Sequence, residues 1–220
     1  MKLLITEGSK EVTQILKGEL NQFDVTLYKD VSNDSISQFD CAIIQALSEK
    51  CKTPQDLNLK LQEVYNNLSA FVEAGIKKII MISSLSILQN YKKGYTVTER
   101  WKSTPSTNID LLTIHLSEII FKEFGRTFPL QKILLRSGFP FIKSNEQLES
   151  FSSRISHKAF IKSVEQIIKT EFNERYEIIH VQEKVADQQF LTNKYNQIES
   201  LGGIQEQAFY EPRLNRRLEK

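Results

Sequence analysis

The segment MKLLITEGSKEVTQILKGEL (residues 1–20) decides the fold, because two different patterns meet in it across a short turn. The apolar run at 2–6 predicts a buried strand. Apolar residues then recur at Val12, Ile15 and Leu16, a spacing that predicts an amphipathic helix over 9–21. A strand that turns directly into a helix is a typical opening unit of an α/β protein.

The same alternation of strand and helix patterns continues along the chain. Further strands are predicted at 24–28, 40–45, 77–82, 131–136 and 175–181, and further helices at 54–74, 108–125 and 157–171. The apolar runs DCAIIQ and KKIIMI are typical of parallel strands that are covered on both faces. The chain is therefore predicted to form an α/β fold with a doubly wound parallel sheet and long loops at 89–107 and 137–156.

Composition excludes several classes of partner. The 220 residues carry 29 basic and 27 acidic side chains, a net charge of +2, which gives no electrostatic basis for binding nucleic acid or a membrane surface. The longest apolar runs are too short to cross a bilayer, and the N-terminus lacks the pattern of a signal peptide. Cys41 and Cys51 do not form a disulfide framework in a chain of this length, so we expect a cytoplasmic protein.

Six segments occur in an order that is typical of one enzyme family. They are LLITEGSKEVTQIL, FDCAIIQA, NNLSAFVEAGIKKIIMISSLSIL, YTVTERWKSTPSTNIDLLTIHLSEII, ILLRSGFPF and RISHKAFIKSVEQII. In this order they resemble the extended short-chain dehydrogenase/reductases, the NAD-dependent epimerase/dehydratase family, over about residues 1–180. The resemblance implies a Rossmann-like NAD(P)-binding-type domain over 1–142. It also implies a reduced remnant of the substrate domain over 143–220, packed on the same core.

The resemblance places the family's glycine-rich phosphate turn at the start of the chain. Three glycines let the backbone approach a pyrophosphate at a helix N-terminus, and their positions hold Glu7, Lys10 and Thr13 here. Gly8 matches only an additional glycine that often stands beside the first. The residues favour a plain helix start in which Ser9 caps the helix. Gly8, Ser9 and Lys10 remain the candidate phosphate-binding residues, with Lys10 supplying positive charge.

The resemblance is also incomplete in the part of the chain where the family binds the adenosine of its dinucleotide. The second strand ends near Lys29 and Asp30, where the family places the residue that reads the ribose, so Asp30 is a candidate cofactor contact. Only about ten residues then precede the next strand, fewer than a crossover needs. We therefore expect the sheet to be shortened at this edge, with the family's third strand and the adenine pocket missing.

The catalytic residues of the family match in part. Ser84 matches the catalytic serine, whereas Asp110 stands at the tyrosine position and Ile114 at the lysine position. An apolar side chain at position 114 cannot lower the pKa of a neighbouring acid–base group. Asn108 and Asp110 are more simply interpreted as a helix start. Arg136 ends a strand on the side of the sheet where ligands bind and is a further candidate for a cofactor or other anionic ligand.

The three histidines do not have the spacing of a metal site. His115, His157 and His180 have no metal-ligand spacing with one another or with the two cysteines, so no metal is expected. We interpret each histidine as a surface or helix-start residue.

Two functional hypotheses remain open. In the first, the protein has lost dinucleotide binding and catalysis and acts as a scaffold or regulatory module, without a cofactor. Its partner would be a second copy of the chain, through the helices at 54–74 and 108–125, or another protein. In the second, a divergent NAD(P)- or nucleotide-sugar-binding epimerase or reductase keeps a pocket near Gly8, Ser84 and Arg136.

Overall fold

The computed structural model describes residues 1–49, 51–142, 153–185 and 188–200. The strands within these ranges are β1 Lys2–Ile5, β2 Asp24–Leu27, β3 Cys41–Gln45, β4 Lys78–Ser84, β5 Gln131–Ser137 and β6 Tyr176–Val181. The helices are α1 Lys10–Glu19, α2 Pro54–Glu73, α3 Ile109–Glu123, α4 His157–Lys169 and α5 Asn193–Ser200. All six predicted strands and all four predicted helices are confirmed, and α5 is an addition. None of the described helices has the length and apolar character that crossing a membrane requires.

The strands form one 6-stranded sheet in the order β2-β1-β3-β4-β5-β6. Every pairing is parallel. The chain moves outward from β1 to β2 and then returns to place β3 on the other side of β1. Because connections leave in opposite directions there, a crevice opens beyond the carboxyl ends of β1 and β3. The predicted Rossmann-like, doubly wound fold is therefore confirmed.

The sheet is covered on both faces, as its apolar strands predict. On one face α1 and α4 pack against it through side chains that include Leu16, Phe160 and Val164. On the other face α2 and α3 contribute Phe71 and Phe121.

The predicted shortening of the sheet edge is confirmed. Residues 28–40, all of which are described, contain short 3₁₀ helices at Tyr28–Asp30 and Asn33–Gln38 and no strand. Ile36 is 1% exposed and Phe39 is 8% exposed, and both join the core on the α2 face. These two side chains supply the apolar cover that a crossover helix would otherwise provide.

Two lysines at the amino end of the sheet, the half-buried Lys78 and the buried Lys132, hold the helices on opposite faces. Lys78 Nζ donates to the carbonyls of Ile167, Ile168 and Thr170 at 2.8, 3.0 and 2.5 Å, at the end of α4. Lys132 Nζ contacts three carbonyls at the end of α3 in the same way. Each ammonium group satisfies carbonyls that have no partner within the helix and faces the negative end of the dipole. Burial nevertheless lowers the pKa of each lysine to about 8.

The predicted division into residues 1–142 and 143–220 remains a proposal. Residues 143–152 and 201–220 lie outside the described part of the chain. Within the described part, β6 hydrogen-bonds to β5 over six residue pairs, from Lys132↔Tyr176 to Ser137↔Val181. The later segment therefore extends the same sheet.

Candidate ligand cleft

A cavity of about 460 Å³ opens at the carboxyl end of the sheet, and we call it the cleft. It lies between the N-terminal turns of α1 and α3 and the segments that follow β3, β4 and β5. Ser9, Ser84 and Asp110, which lie far apart in the sequence, all line it. Of the predicted site residues, these three are therefore brought together.

The turn after β1 is filled by a glutamine side chain from β3. Gln45 is 1% exposed, and its Nε2 donates to the Thr6 carbonyl at 3.0 Å and to Thr13 Oγ1 at 2.9 Å. A Cβ atom added at Gly8 would lie only 2.6 Å from the Gln45 Cβ. The glycine at position 8 is therefore explained by contact with Gln45. Thr13, at the third glycine position, takes part in the same hydrogen-bonded group.

The N-terminus of α1 is capped by a carboxylate from the loop after β3. Glu49 Oε1 accepts from the Lys10 backbone N–H at 2.7 Å. Ser9 stands at the predicted N-cap position, but its side chain makes no capping hydrogen bond. Its hydroxyl instead donates to Glu49 Oε1 at 3.5 Å. Free N–H groups and the positive end of the dipole attract an anion to a helix N-terminus, and here the chain supplies that anion itself.

The end of β2 is joined to the turn after β1 by an ion pair. Lys29 Nζ lies 2.6 Å from Glu7 Oε1, and both side chains are more than half exposed. The hydrogen bond with Glu7 and the charge of its carboxylate raise the pKa of Lys29. Asp30, the predicted ribose contact, does not line the cleft. It borders a separate surface depression with Ser32 and Gln38.

The two candidate catalytic residues lie on different walls of the cleft. Ser84 is 2% exposed, and its Oγ lies 2.7 Å from the Oγ of Ser86. Asp110 lies in the first turn of α3, and the expected helix start is confirmed because Asn108 Oδ1 accepts from the Leu111 N–H at 3.1 Å. Ile114 also lines the cleft, so the position of the family's lysine presents an apolar side chain.

Arg136 lies in a buried ion pair rather than in the cleft. Its Nε and Nη2 donate to the two carboxylate oxygens of Glu118 at 3.0 and 2.7 Å, and its Nη1 donates to the Trp101 carbonyl at 3.2 Å. Ser83 Oγ donates to the same Glu118 carboxylate at 2.6 Å. Both charged side chains are less than 5% exposed. This arrangement fixes α3 and the 89–107 loop against β5.

Two of the three histidines are buried, so their interpretation as surface or helix-start residues is wrong. His180 is completely buried in β6, and neither ring nitrogen hydrogen-bonds within standard geometry to any described residue. Burial, together with the charge of Arg136, lowers the pKa of His180 to about 3, and the nearby Leu191 backbone opposes the shift. His115 is 9% exposed, and its Nδ1 lies 2.8 Å from Ser103 Oγ. His157 is the first residue of α4 and is exposed, as expected for a helix start.

Metal-ligating side chains do not gather anywhere in the described residues. No group of three or more His, Cys, Asp or Glu side chains there could hold an ion. Cys41 and Cys51 are buried and free, and burial raises the pKa of the Cys41 thiol to about 12. A raised pKa keeps a thiol protonated, so Cys41 behaves as a small apolar residue of the strand.

Comparison with known proteins identifies the fold. No family model matches the chain, and no curated protein matches it in sequence. Among solved structures, uronate dehydrogenase from Agrobacterium tumefaciens is similar with a TM-score of 0.71 and 12% identity, over 90% of this chain and 82% of that chain. The chain therefore shares the Rossmann-like fold of this dehydrogenase.

Two sugar-nucleotide epimerases show the same likeness. The UDP-glucose 4-epimerase of Thermus thermophilus, solved in complex with NAD, has a TM-score of 0.63 and 13% identity over 83% of this chain and 78% of its own. The UDP-N-acetylglucosamine 4-epimerase of Bacillus cereus has a TM-score of 0.63 and 16% identity over 88% of this chain and 80% of its own. The resemblance found in the six sequence segments is therefore confirmed, and at these identities it concerns the fold alone.

Proposed function

We propose that the protein has lost dinucleotide binding and epimerase or reductase chemistry and acts as a protein-interaction module. The observation that carries the proposal is the Glu49 carboxylate on the N-terminus of α1. A dinucleotide would place its pyrophosphate at this end of the helix. The anion position is taken by the chain's own carboxylate, which would also repel phosphate oxygens.

The rest of the turn does not fit a dinucleotide either. The Gln45 side chain lies directly against Gly8 on the side where a Cβ would stand, so this glycine is explained by packing rather than by a pyrophosphate. The Glu7–Lys29 ion pair lies across the ends of β1 and β2, where the ribose would be read. The shortened edge removes the cover of an adenine ring. The positions where the pyrophosphate, the ribose and the adenine of a dinucleotide would bind are therefore all altered.

The residues on the cleft walls support the loss of catalysis. Family chemistry needs a tyrosine acid–base group whose pKa is lowered by a lysine. Here the corresponding positions hold Asp110 and Ile114, and the cleft has no lysine among its described lining residues. Ser84 alone matches, and the family's tyrosine–lysine acid–base pair is missing from the positions where the resemblance places it.

The outer faces of α2 and α3 carry the apolar side chains that suit a partner. Leu59 is 64% exposed, Tyr65 is 53% exposed and Ile119 is 45% exposed. Leu112 and Leu116 lie on the same stripe of α3 as Ile119 and are half-buried. Large apolar side chains that are exposed on two neighbouring helices suit an interface. We therefore propose a homodimer through this surface, in a cytoplasmic protein.

Oligomeric state and bound mass test the two parts of the proposal separately. Light scattering at several protein concentrations should give a dimer for the wild type and a monomer for Ile119→Lys. The control Gln14→Lys places the same charge on α1, on the other face of the sheet, and should remain dimeric. A wild-type monomer at every concentration would refute the interface. Native mass spectrometry of the freshly purified protein should show a mass that the polypeptide accounts for without a bound dinucleotide, and a retained dinucleotide would refute the loss of binding.

A further inference from the structure

We propose that the cleft binds a small organic cation, an amine with an apolar or aromatic body. The cleft has the volume of a small-molecule site, about 460 Å³, within the usual range of about 300–1,000 Å³. Much of its wall is apolar and comes from several elements. These side chains include Val12, Leu47, Leu111, Ile114, Phe139 and Phe141. Such a wall favours a compact organic ligand over a bare ion.

The charged side chains around the cleft favour a ligand of positive charge. Glu11, Glu49 and Asp110 line it, and none of its described lining residues is Lys, Arg or His. Lys10 lies beside the cleft in the sequence, but it lines a neighbouring cavity together with Lys17 and Lys60. An anion placed in the cleft would therefore face carboxylates, with no opposing cationic side chain among the described residues that line it.

The local partners reduce this negative charge without cancelling it. Glu49 caps α1 at 2.7 Å, and Glu11 lies 3.5 Å from His157 Nε2. Asp110 has no ion pair with any described residue. The N-termini of α1 and α3 contribute roughly half a positive charge each. Three carboxylates carry more charge than these two helix ends, so the described groups that line the cleft have a net negative charge.

The walls also offer the contacts that an ammonium group with an apolar body needs. Carboxylate oxygens and the hydroxyls of Ser84 and Ser86 can accept its N–H groups. The rings of Phe139 and Phe141 meet edge to face with centroids 5.0 Å apart. Aromatic faces attract cations, and the same rings pack against an apolar ligand body. The ligand class is thus opposite in charge to a dinucleotide.

Three probes of equal shape and different charge test the proposal: benzylamine, benzyl alcohol and benzoate. Ligand-observed NMR titration should give the order benzylamine, then benzyl alcohol, with benzoate weakest. Asp110→Asn should weaken benzylamine about tenfold, the loss of roughly 1.4 kcal/mol expected for one partly desolvated charge pair. Ile114→Trp, which fills the cleft, should weaken all probes. Glu19→Gln removes an exposed charge at the far end of α1 and should change nothing.

Three results would overturn this inference. They are benzoate binding as tightly as benzylamine, no binding of benzylamine at all, and benzylamine binding that both Asp110→Asn and Ile114→Trp leave unchanged. Circular dichroism of each variant separates loss of binding from loss of the fold. The inference does not rest on the dimer or on the loss of dinucleotide binding, so its failure would leave both of those proposals standing.

Discussion

The buried pair of Arg136 and Glu118 allows the sharpest prediction about stability. The two side chains share two hydrogen bonds of 3.0 and 2.7 Å and are less than 5% exposed. Arg136→Met leaves the carboxylate buried without a cationic partner, with two hydroxyl donors: Ser83 Oγ at 2.6 Å and Ser103 Oγ at 3.4 Å. Breaking a buried pair in this way costs about 3–5 kcal/mol, a large part of the roughly 5–15 kcal/mol that stabilises a typical domain. We expect the variant to lose that amount of unfolding free energy.

The assay is urea unfolding, followed by circular dichroism and by the fluorescence of Trp101. The double variant Arg136→Met/Glu118→Met removes both charges, so it should recover at least about 2 kcal/mol relative to the sum of the single variants. Arg126→Met is the matched control, because Arg126 pairs with Glu123 at 2.8 Å on the surface, with 71% and 50% exposure. It should cost less than about 1 kcal/mol. A loss below about 1 kcal/mol for Arg136→Met, or strictly additive single variants, would refute the reasoning.

Three further predictions concern contacts of the turn after β1 and of β6. Gly8→Ala should lower the unfolding free energy by about 1–3 kcal/mol because its Cβ would overlap the Cβ of Gln45. Most of the loss should disappear in a Gln45→Gly background, which lacks that atom, and equal losses in both backgrounds would contradict this contact. Glu49→Ala removes the cap of α1 and should cost about 0.5–2 kcal/mol in the same urea assay, and an unchanged midpoint would contradict the capping role. Because the folded-state pKa of His180 is lowered to about 3, the unfolded chain takes up a proton below about pH 6.5 that the folded chain does not. The unfolding free energy should therefore fall by roughly 1.6 kcal/mol between pH 6.5 and 5, and His180→Leu should remove this slope whereas the exposed His157→Gln should keep it.

The fold followed from the sequence because its elements carry strong local patterns. Buried parallel strands such as β3 and β4 are nearly continuous apolar runs, and α1 and α4 repeat apolar residues at helical spacing. The missed helix α5 has only one buried residue, Ile198, so it shows no amphipathic stripe. The short span before β3 was sufficient to predict the missing strand, because chain length alone limits what can fit there.

The contacts that define the site could not be predicted in the same way. Gln45 and Glu49 contact residues that lie 32–39 positions away in the sequence, and only the sheet topology brings them together. The Arg136–Glu118 pair likewise depends on how α3 packs against β5. A signal for His180 was present, because this single polar ring interrupts the otherwise apolar end of β6. The place of each residue in the fold was therefore predictable from the sequence, whereas its side-chain partners on other helices and strands were not.

The central claim is that this Rossmann-like turn no longer binds a dinucleotide. Isothermal titration calorimetry of the purified protein with NAD⁺, NADH, NADP⁺ and NADPH tests it most directly. We expect only heats of dilution for all four, because the Glu49 carboxylate caps the N-terminus of α1 and would repel a phosphate group there. Micromolar binding of any one of them would contradict it.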